Sequence, residues 1–460
     1  MKPARWQKLL PELTQLLSRD EIRFDQPTRE AHAGDKWFAS HVPDAVALPR
    51  STESVSALLR FAHHHRIPVT PRAAGYGYVG GCVPVRGGIA LSVAQLNRIK
   101  EINTRDFVAV VQAGVNTQAL QDAVEKKRLY YPPDPASRAD CFIGGNIATN
   151  AGGPRCLKYG VTRDYVLGLK VVLSCGAIAD LGGRCHKNKT GFDLHRMFVG
   201  SEGMLGVITE ATLKLLPLPP YRACLAVGYA SPAAAVRTLA AIFRAGLLPS
   251  ALEIADAFTL AAAAKHTGSK RLLGCQALLI VELDGQKISV GSEMTELEKI
   301  VEQQKPQFVQ VGLGAKQCEE VWALRRQFSA SLKATGLKKL NEDIVVPRGR
   351  LEDLFKFTAR LQKQVRLPIA CFGHAGDGNI HVNIMLDVND PAAVKRGDHA
   401  LDELFHQVIA WGGAITGEHG IGLAKKPWWP QAVSPEVQAL HHCVKKALDP
   451  RGILNPGKFV

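Results

Sequence analysis

Apolar residues recur along this chain at two spacings, and the change from one to the other predicts its elements. At the N-terminus Trp6, Leu9, Leu10, Leu13, Leu16 and Leu17 fall at helical spacing with Glu12 among them. That predicts an amphipathic helix, not an export signal, which needs an unbroken apolar stretch. Residues 51–54, Ser-Thr-Glu-Ser, offer N-cap side chains to a second helix whose inner face is Val55, Leu58, Leu59 and Ala62. It closes on His63, His64 and His65, read as a solvated last turn where cations are favoured. Short apolar runs predict strands at 67–70, 88–93, 108–113, 168–173 and 211–215, and a helix over 117–127. Pro217, Pro219 and Pro220 then mark a boundary. Beyond it, strand runs at 224–229 and 277–283 alternate with helical runs at 233–245 and 293–304. Residues 251–264 form the most apolar helical stretch and contain Glu253 and Asp256. No apolar run reaches the roughly 18 residues of a membrane helix.

The pattern changes character near the C-terminus. Residues 371–385 read as strand, tight turn, strand, because Gly376, Asp377, Gly378 and Asn379 are turn formers between apolar flanks. A hairpin there brings His374 and His381 close, and puts Asn383 on the same side as His381. The later run GGAITGEHGIG sets Glu418 and His419 among glycines. Two imidazoles and one carboxylate match what a divalent transition metal takes, with positions left for substrate. Spacing alone leaves the alternative open, a polar surface loop with ordinary turns.

Three glycine clusters lie between predicted strands: Gly75 to Gly81, Gly144 to Gly153, and Gly200 to Gly206. Exposed backbone N–H groups are the physical recipe for cradling a pyrophosphate. The first cluster is no Rossmann fingerprint, since a strand and not a helix follows it. Together the clusters point to one extended nucleotide threaded between sheet layers.

Length suggests roughly two to four domains. The composition is globular, 46% hydrophobic and 22% charged. The net charge of +15 raises nucleic acid as a partner. The Lys and Arg are scattered, however, with no dense run or aromatic-studded strand. An anionic substrate, an acidic partner or an anionic membrane surface fits better. None of the ten cysteines forms Cys-x-x-Cys, which excludes an iron–sulfur or zinc-knuckle signature and points to a reducing, cytoplasmic compartment.

The runs PRAAGYGYVGG, PPDPAS, IGGNIATNAGGPRCLKYGVTRDYVLGL and GSEGMLGVITEATLKLLPLP resemble the FAD-binding domain of the vanillyl-alcohol oxidase and p-cresol methylhydroxylase superfamily. GHAGDGNIHVN, GEHGIG and DPRGILNPGK resemble its D-2-hydroxyacid dehydrogenase branch. That branch includes the glycolate oxidase flavoprotein subunit, FAD-dependent D-lactate dehydrogenases and D-2-hydroxyglutarate dehydrogenase. The resemblance implies an α+β fold. A two-subdomain FAD-binding domain would span 1–218, an α+β cap 219–422, and a helical segment 423–460 would return to the FAD domain.

What the resemblance implies for the site is specific. FAD contacts would fall on Arg72, Ala74, Gly75, Tyr76, Gly77, Gly80 and Gly81. Further contacts would come from Pro133, Asp134, Ser137, Gly144, Gly145, Asn146, Thr149, Asn150, Gly152 and Gly153. Glu202, Gly203, Gly206, Val207, Ile208 and Asn455 would complete them. Tyr76 and Met204 stand where the family usually has threonine. Ala73 and Ala74 stand where some members attach FAD through histidine, so FAD would be non-covalent. Arg325 would grip a substrate carboxylate, with Ser329 one turn on, and Asn383 would orient the substrate. Zinc or manganese would sit on His374, His381 and Glu418, and His419 would act as base. The implied reaction is oxidation of a D-2-hydroxy acid to the 2-oxo acid, with electrons leaving to a quinone, a cytochrome or an iron–sulfur partner subunit. The basic surface fits an acidic partner or peripheral contact with the inner membrane face. The competing readings are an oxygen-using alcohol or polyol oxidase and a non-catalytic flavin relay.

Overall fold

A computed structural model describes residues 3–18 and 20–460. The chain forms two compact units, one of residues up to 152 with 161–218 and 418–460, the other of 153–160 with 219–417. Among the described residues no helix is long and apolar enough to cross a membrane.

In the first unit the N-terminal helix runs Pro3–Leu16 and buries Trp6 and Leu13, with Leu17 just beyond it. The Leu10 side chain lies outside the described residues. A four-stranded sheet orders Ile22–Arg23, Ala45–Ala47, Ile89–Ser92 and Val69–Arg72, the last three parallel. The helix Thr52–His65 packs its predicted face inward, and Ser51 Oγ accepts the Ser54 N–H at its N-terminus. A five-stranded antiparallel sheet orders Ile99–Asn103, Val108–Gln112, Val207–Lys214, Val166–Val172 and Ile178–Gly182. The tail closes on the first sheet. Leu454 bridges Val69, and Asn455 Nδ2 donates to the carbonyls of Gly81 and Glu202.

The second unit is built on a seven-stranded sheet. Its spatial order is Phe308–Leu313, Tyr221–Tyr229, Ala277–Gly285, Ala251–Asp256, Ile369–His374, Asn379–Leu386 and Lys338–Val345, every pair antiparallel. The helix Gly314–Lys333 buries Trp322, Phe328 and Leu332 in a core shared with Leu260 and Ala263 of the helix Ala257–Thr267. Residues 153–160 are tied in by charge. Arg155 meets the buried Glu282 through Nε and a terminal nitrogen at 2.9 and 3.2 Å, and Lys158 and Tyr159 meet Asp284.

Two sequence expectations are corrected. Residues 251–264 are not one helix. The first six form a central strand, and the helix begins only at Ala257, capped by Asp256 Oδ1 accepting from Thr259. A strand buried on both faces is as apolar as a core helix, so composition misleads there. Residues 144–146 are not a backbone-donor loop but lie in the helix Ile143–Thr149. Their amides are already committed: Gly144 donates to Ala113, and Gly145 and Asn146 to Phe142.

Candidate active site

The hairpin predicted over 371–385 forms. Residues 375–378 turn between strands Ile369–His374 and Asn379–Leu386. Gly378 sits at φ +86°, and a Cβ there would lie 2.1 Å from the Val346 carbonyl oxygen. Only glycine fits that turn without moving the neighbouring strand. The fold back brings the His374 and His381 rings to 5.5 Å between centroids, at 80° to each other.

His374 does not stand alone. Sheet register places Glu253 directly opposite it on the neighbouring strand. Glu253 Oε1 meets His374 Nδ1 at 2.5 Å, and Oε2 accepts Arg325 Nε at 2.5 Å. Burial alone would raise the Glu253 carboxyl, but its close contacts with His374 and Arg325 outweigh it and hold the group down to about 2. Arg325 comes from the helix Gly314–Lys333 and lies 4.8 Å above the Phe372 ring. Arg326 behaves otherwise: it faces solvent and pairs with Glu319. Sequence reasoning missed Glu253. The signal available was an acid inside a strongly apolar run, which costs free energy unless it is paired.

Ser329, one turn beyond Arg325, accepts from Lys339 Nζ at 2.9 Å. Burial lowers the Lys339 amine to about 8, with Lys333 adding to the effect. Asn383 is fully buried; its Nδ2 donates to the carbonyls of Ala370 and His381, while its Oδ1 accepts no hydrogen bond.

The second motif enters this neighbourhood through its own backbone. Ala414 pairs with Val345, and the Gly417 N–H donates to the Asp343 carboxylate at 2.9 Å. Gly417 is packed so closely on Asn379 that a Cβ would lie 2.4 Å from its amide nitrogen. Asn379 in turn faces His374 in the register. Glu418 is the next residue, so chain continuity delivers its carboxylate to the imidazoles. One ligand atom from each of His374, His381 and Glu418 lies within 4.8 Å of the others. The set has the composition and spacing of a site for a divalent metal.

In the first unit His419 stacks on Tyr78, 5.2 Å between centroids. Glu202 accepts the amides of Ile421 and Gly422, so its carboxylate anchors this loop. In the first glycine cluster the Arg72 guanidinium fills the inside of the turn. A Cβ on Gly75, which has φ +73°, would meet it at 2.1 Å. Residues 73–81 are coil, with cationic Arg72 at their centre, an arrangement suited to a diphosphate. Tyr76 hydrogen-bonds Asp140, and Lys36 lies 4.3 Å over its ring. Asn146 and Thr149 bond internally, to Thr117 and to the Gly145 carbonyl, and Asn150 Oδ1 accepts from Arg163.

Comparison with known proteins agrees with this anatomy. Residues 43–182 match the model of an FAD binding domain, and residues 218–459 match that of the C-terminal domain of FAD linked oxidases. Glycolate oxidase subunit GlcD of Bacillus subtilis is 40% identical, covering 91% of this chain and 89% of its own. A D-lactate dehydrogenase of Anaerostipes hadrus is 32% identical over 100% of this chain and 99% of its own. A D-2-hydroxyglutarate dehydrogenase of Xanthomonas citri is 33% identical over 94% and 93%. Among solved structures, p-cresol methylhydroxylase superposes with a TM-score of 0.82 at 19% identity, covering 100% of this chain and 97% of its own.

Proposed function

The chain belongs to the FAD linked oxidases, and from that premise we propose that it oxidises a D-2-hydroxy acid to the 2-oxo acid. It is an FAD-linked oxidoreductase of the kind that includes glycolate oxidase subunit GlcD, D-lactate dehydrogenase and D-2-hydroxyglutarate dehydrogenase. The observation that carries the finer reading is the donor set of His374, His381 and Glu418 beside the Glu253-held Arg325.

The residues divide the work by chemistry. The Arg325 Nε edge is engaged by Glu253, and its terminal nitrogens form the fork that a substrate carboxylate would meet. The Phe372 and Phe328 rings lie 4.8 and 5.6 Å from the guanidinium carbon and flank that ion pair. Asn383 Oδ1, a buried acceptor on the His381 side of the sheet, would take a hydrogen bond from the substrate 2-hydroxyl. His374, His381 and Glu418 would hold zinc or manganese, both of which suit two imidazoles and a carboxylate. His419 would receive the hydroxyl proton, since an imidazole with a reference pKa of about 6.5 suits a base near neutrality. The first glycine loop and Arg72 would hold the FAD diphosphate. When bound, FAD supplies a two-electron acceptor for the Cα hydride and the divalent metal a Lewis acid at the hydroxyl. No Cys-x-x-Cys offers an iron–sulfur site in this chain, so the acceptor that reoxidises the flavin would be a separate agent such as a quinone, a cytochrome or an iron–sulfur partner.

The test is anaerobic bleaching of the flavin absorbance by D- and L-lactate, glycolate, D-2-hydroxyglutarate and D-malate, before and after chelation. Fast bleaching by one of the D-acids or glycolate, lost with chelator and restored by zinc or manganese, is expected. Bleaching that ignores the chelator would make His374, His381 and Glu418 direct substrate binders. No bleaching by any acid would sink the reading in favour of a relay or an alcohol oxidase.

A further inference from the structure

Glu253 takes no part in the chemistry above, yet it touches two groups that do. Its carboxylate is 1% exposed, and each oxygen has its own partner, His374 Nδ1 on one and Arg325 Nε on the other. The three residues come from separate elements: the strands Ala251–Asp256 and Ile369–His374, and the helix Gly314–Lys333. We propose that Glu253 is a positioning residue that holds the metal ligand and the substrate arginine in one geometry, so that metal binding and carboxylate binding are coupled through it. The proposal rests on the reading of His374 and Arg325 given above.

Three physical constraints meet at this carboxylate. An ionised acceptor on Nδ1 fixes the imidazole tautomer, with the proton on Nδ1 and the lone pair of Nε2 directed to a metal. A second acceptor on Nε fixes the guanidinium plane, which the Phe372 ring also restrains from one face. The third constraint is competition. A cation on Nε2 makes Nδ1–H a stronger donor, which draws Glu253 toward His374 and alters its hold on Arg325. Whatever metal does to carboxylate affinity, carboxylate must do equally to metal affinity. Had Glu253 been only a counter-ion for a buried arginine, it would govern stability and leave metal affinity alone.

The test uses the full FAD-loaded chain, with FAD content and thermal unfolding confirming that each variant is folded. Cobalt(II) is the metal probe, titrated by its visible absorbance and by chelator competition. Oxamate is the carboxylate probe, titrated calorimetrically on metal-stripped protein, where Arg325 is read without the metal, and again on cobalt-loaded protein, where the difference is the coupling. Glu253→Gln should weaken cobalt by about 10- to 100-fold, and oxamate by a similar factor. In an Arg325→Ala background the same change should leave oxamate binding unaltered while still weakening cobalt. Glu253→Asp is one methylene shorter and cannot span both partners, so it should keep one affinity and lose the other. It also supplies the same titrations if the glutamine variant does not fold. Both affinities of Glu253→Gln within twofold of wild type would overturn the proposal, and loss of only one would overturn the coupling. Absence of cobalt binding in the wild type would instead refute the metal reading, and the oxamate titration would then decide by itself whether Glu253 holds Arg325.

Discussion

Glu202 accepts the backbone N–H of Ile421 at 2.7 Å, across 219 positions of sequence. The same carboxylate takes the Gly422 amide at 2.8 Å, so both its oxygens are spent on the loop that carries His419. Burial raises this carboxyl, and the two amides and the nearby Lys458 and Lys425 work against that rise. Glu202 thus serves the GEHGIG motif as its anchor. Glu202→Gln should release one amide and misplace the ring now stacked on Tyr78. The expected result is retained FAD with flavin reduction slowed at least about tenfold, since a buried donor left unmet costs about 1–3 kcal/mol. Single-turnover stopped-flow under anaerobic conditions reads this directly. Unchanged reduction would show that the loop is held without Glu202.

Gly378 sets the spacing of the two histidines. Any side chain there must enter the left-handed region and push on the Val346 carbonyl. Gly378→Ala is expected to cost about 1–3 kcal/mol of stability. It should also weaken cobalt binding, because the hairpin is what brings His374 and His381 together. Thermal unfolding paired with a cobalt titration separates the two effects.

Arg155 neutralises a carboxylate that has almost no contact with water. Glu282 is 1% exposed and also accepts from Trp322 Nε1 at 2.7 Å. Burial would raise Glu282, yet Arg155 and Arg222 bring it below the usual carboxylate range. Arg155→Met leaves only Arg222, 3.5 Å away, to offset that charge and should destabilise the second unit by up to about 3 kcal/mol. Denaturant unfolding followed by tryptophan fluorescence, with Trp322 beside the lost pair, would detect it.

Lys339 gives a pH dependence whose sign can be worked out. Its folded pKa is lowered from 10.5 to about 8. Below pH 8 folded and unfolded chains both carry the proton, and the folded state bears the desolvation cost. Between pH 8 and 10.5 the folded chain has released the proton and the unfolded chain has not, so stability rises with pH across that window. Lys339→Met should flatten this rise and raise stability at pH 7, against the loss of the bond to Ser329. Melting temperatures from pH 7 to 10 for both proteins check it.

How much was legible in the sequence follows from the range of the forces involved. The hairpin bearing His374 and His381 was readable because turn chemistry is local: Gly376 to Asn379 encode a reversal wherever they stand. The capped helix Thr52–His65 was readable for the same reason. The glycines at 144 and 145 misled because glycine marks close approach as well as open amides. Here a Cβ on Gly144 would meet Ala113 at 2.7 Å, and the amides are used inside a helix.

By itself, then, the sequence determined the elements with strong local signals and offered two histidines and an acid as a candidate donor set, while the arginine entered only through the family resemblance. Only the tertiary structure decided what orients them. Glu253 lies 121 positions from His374 and 72 from Arg325, and its strand was as apolar as a helix. Glu202 lies further still from the loop it anchors. Pairing across a sheet depends on register between distant strands. Register is fixed by packing of whole faces and not by any residue near the acid itself.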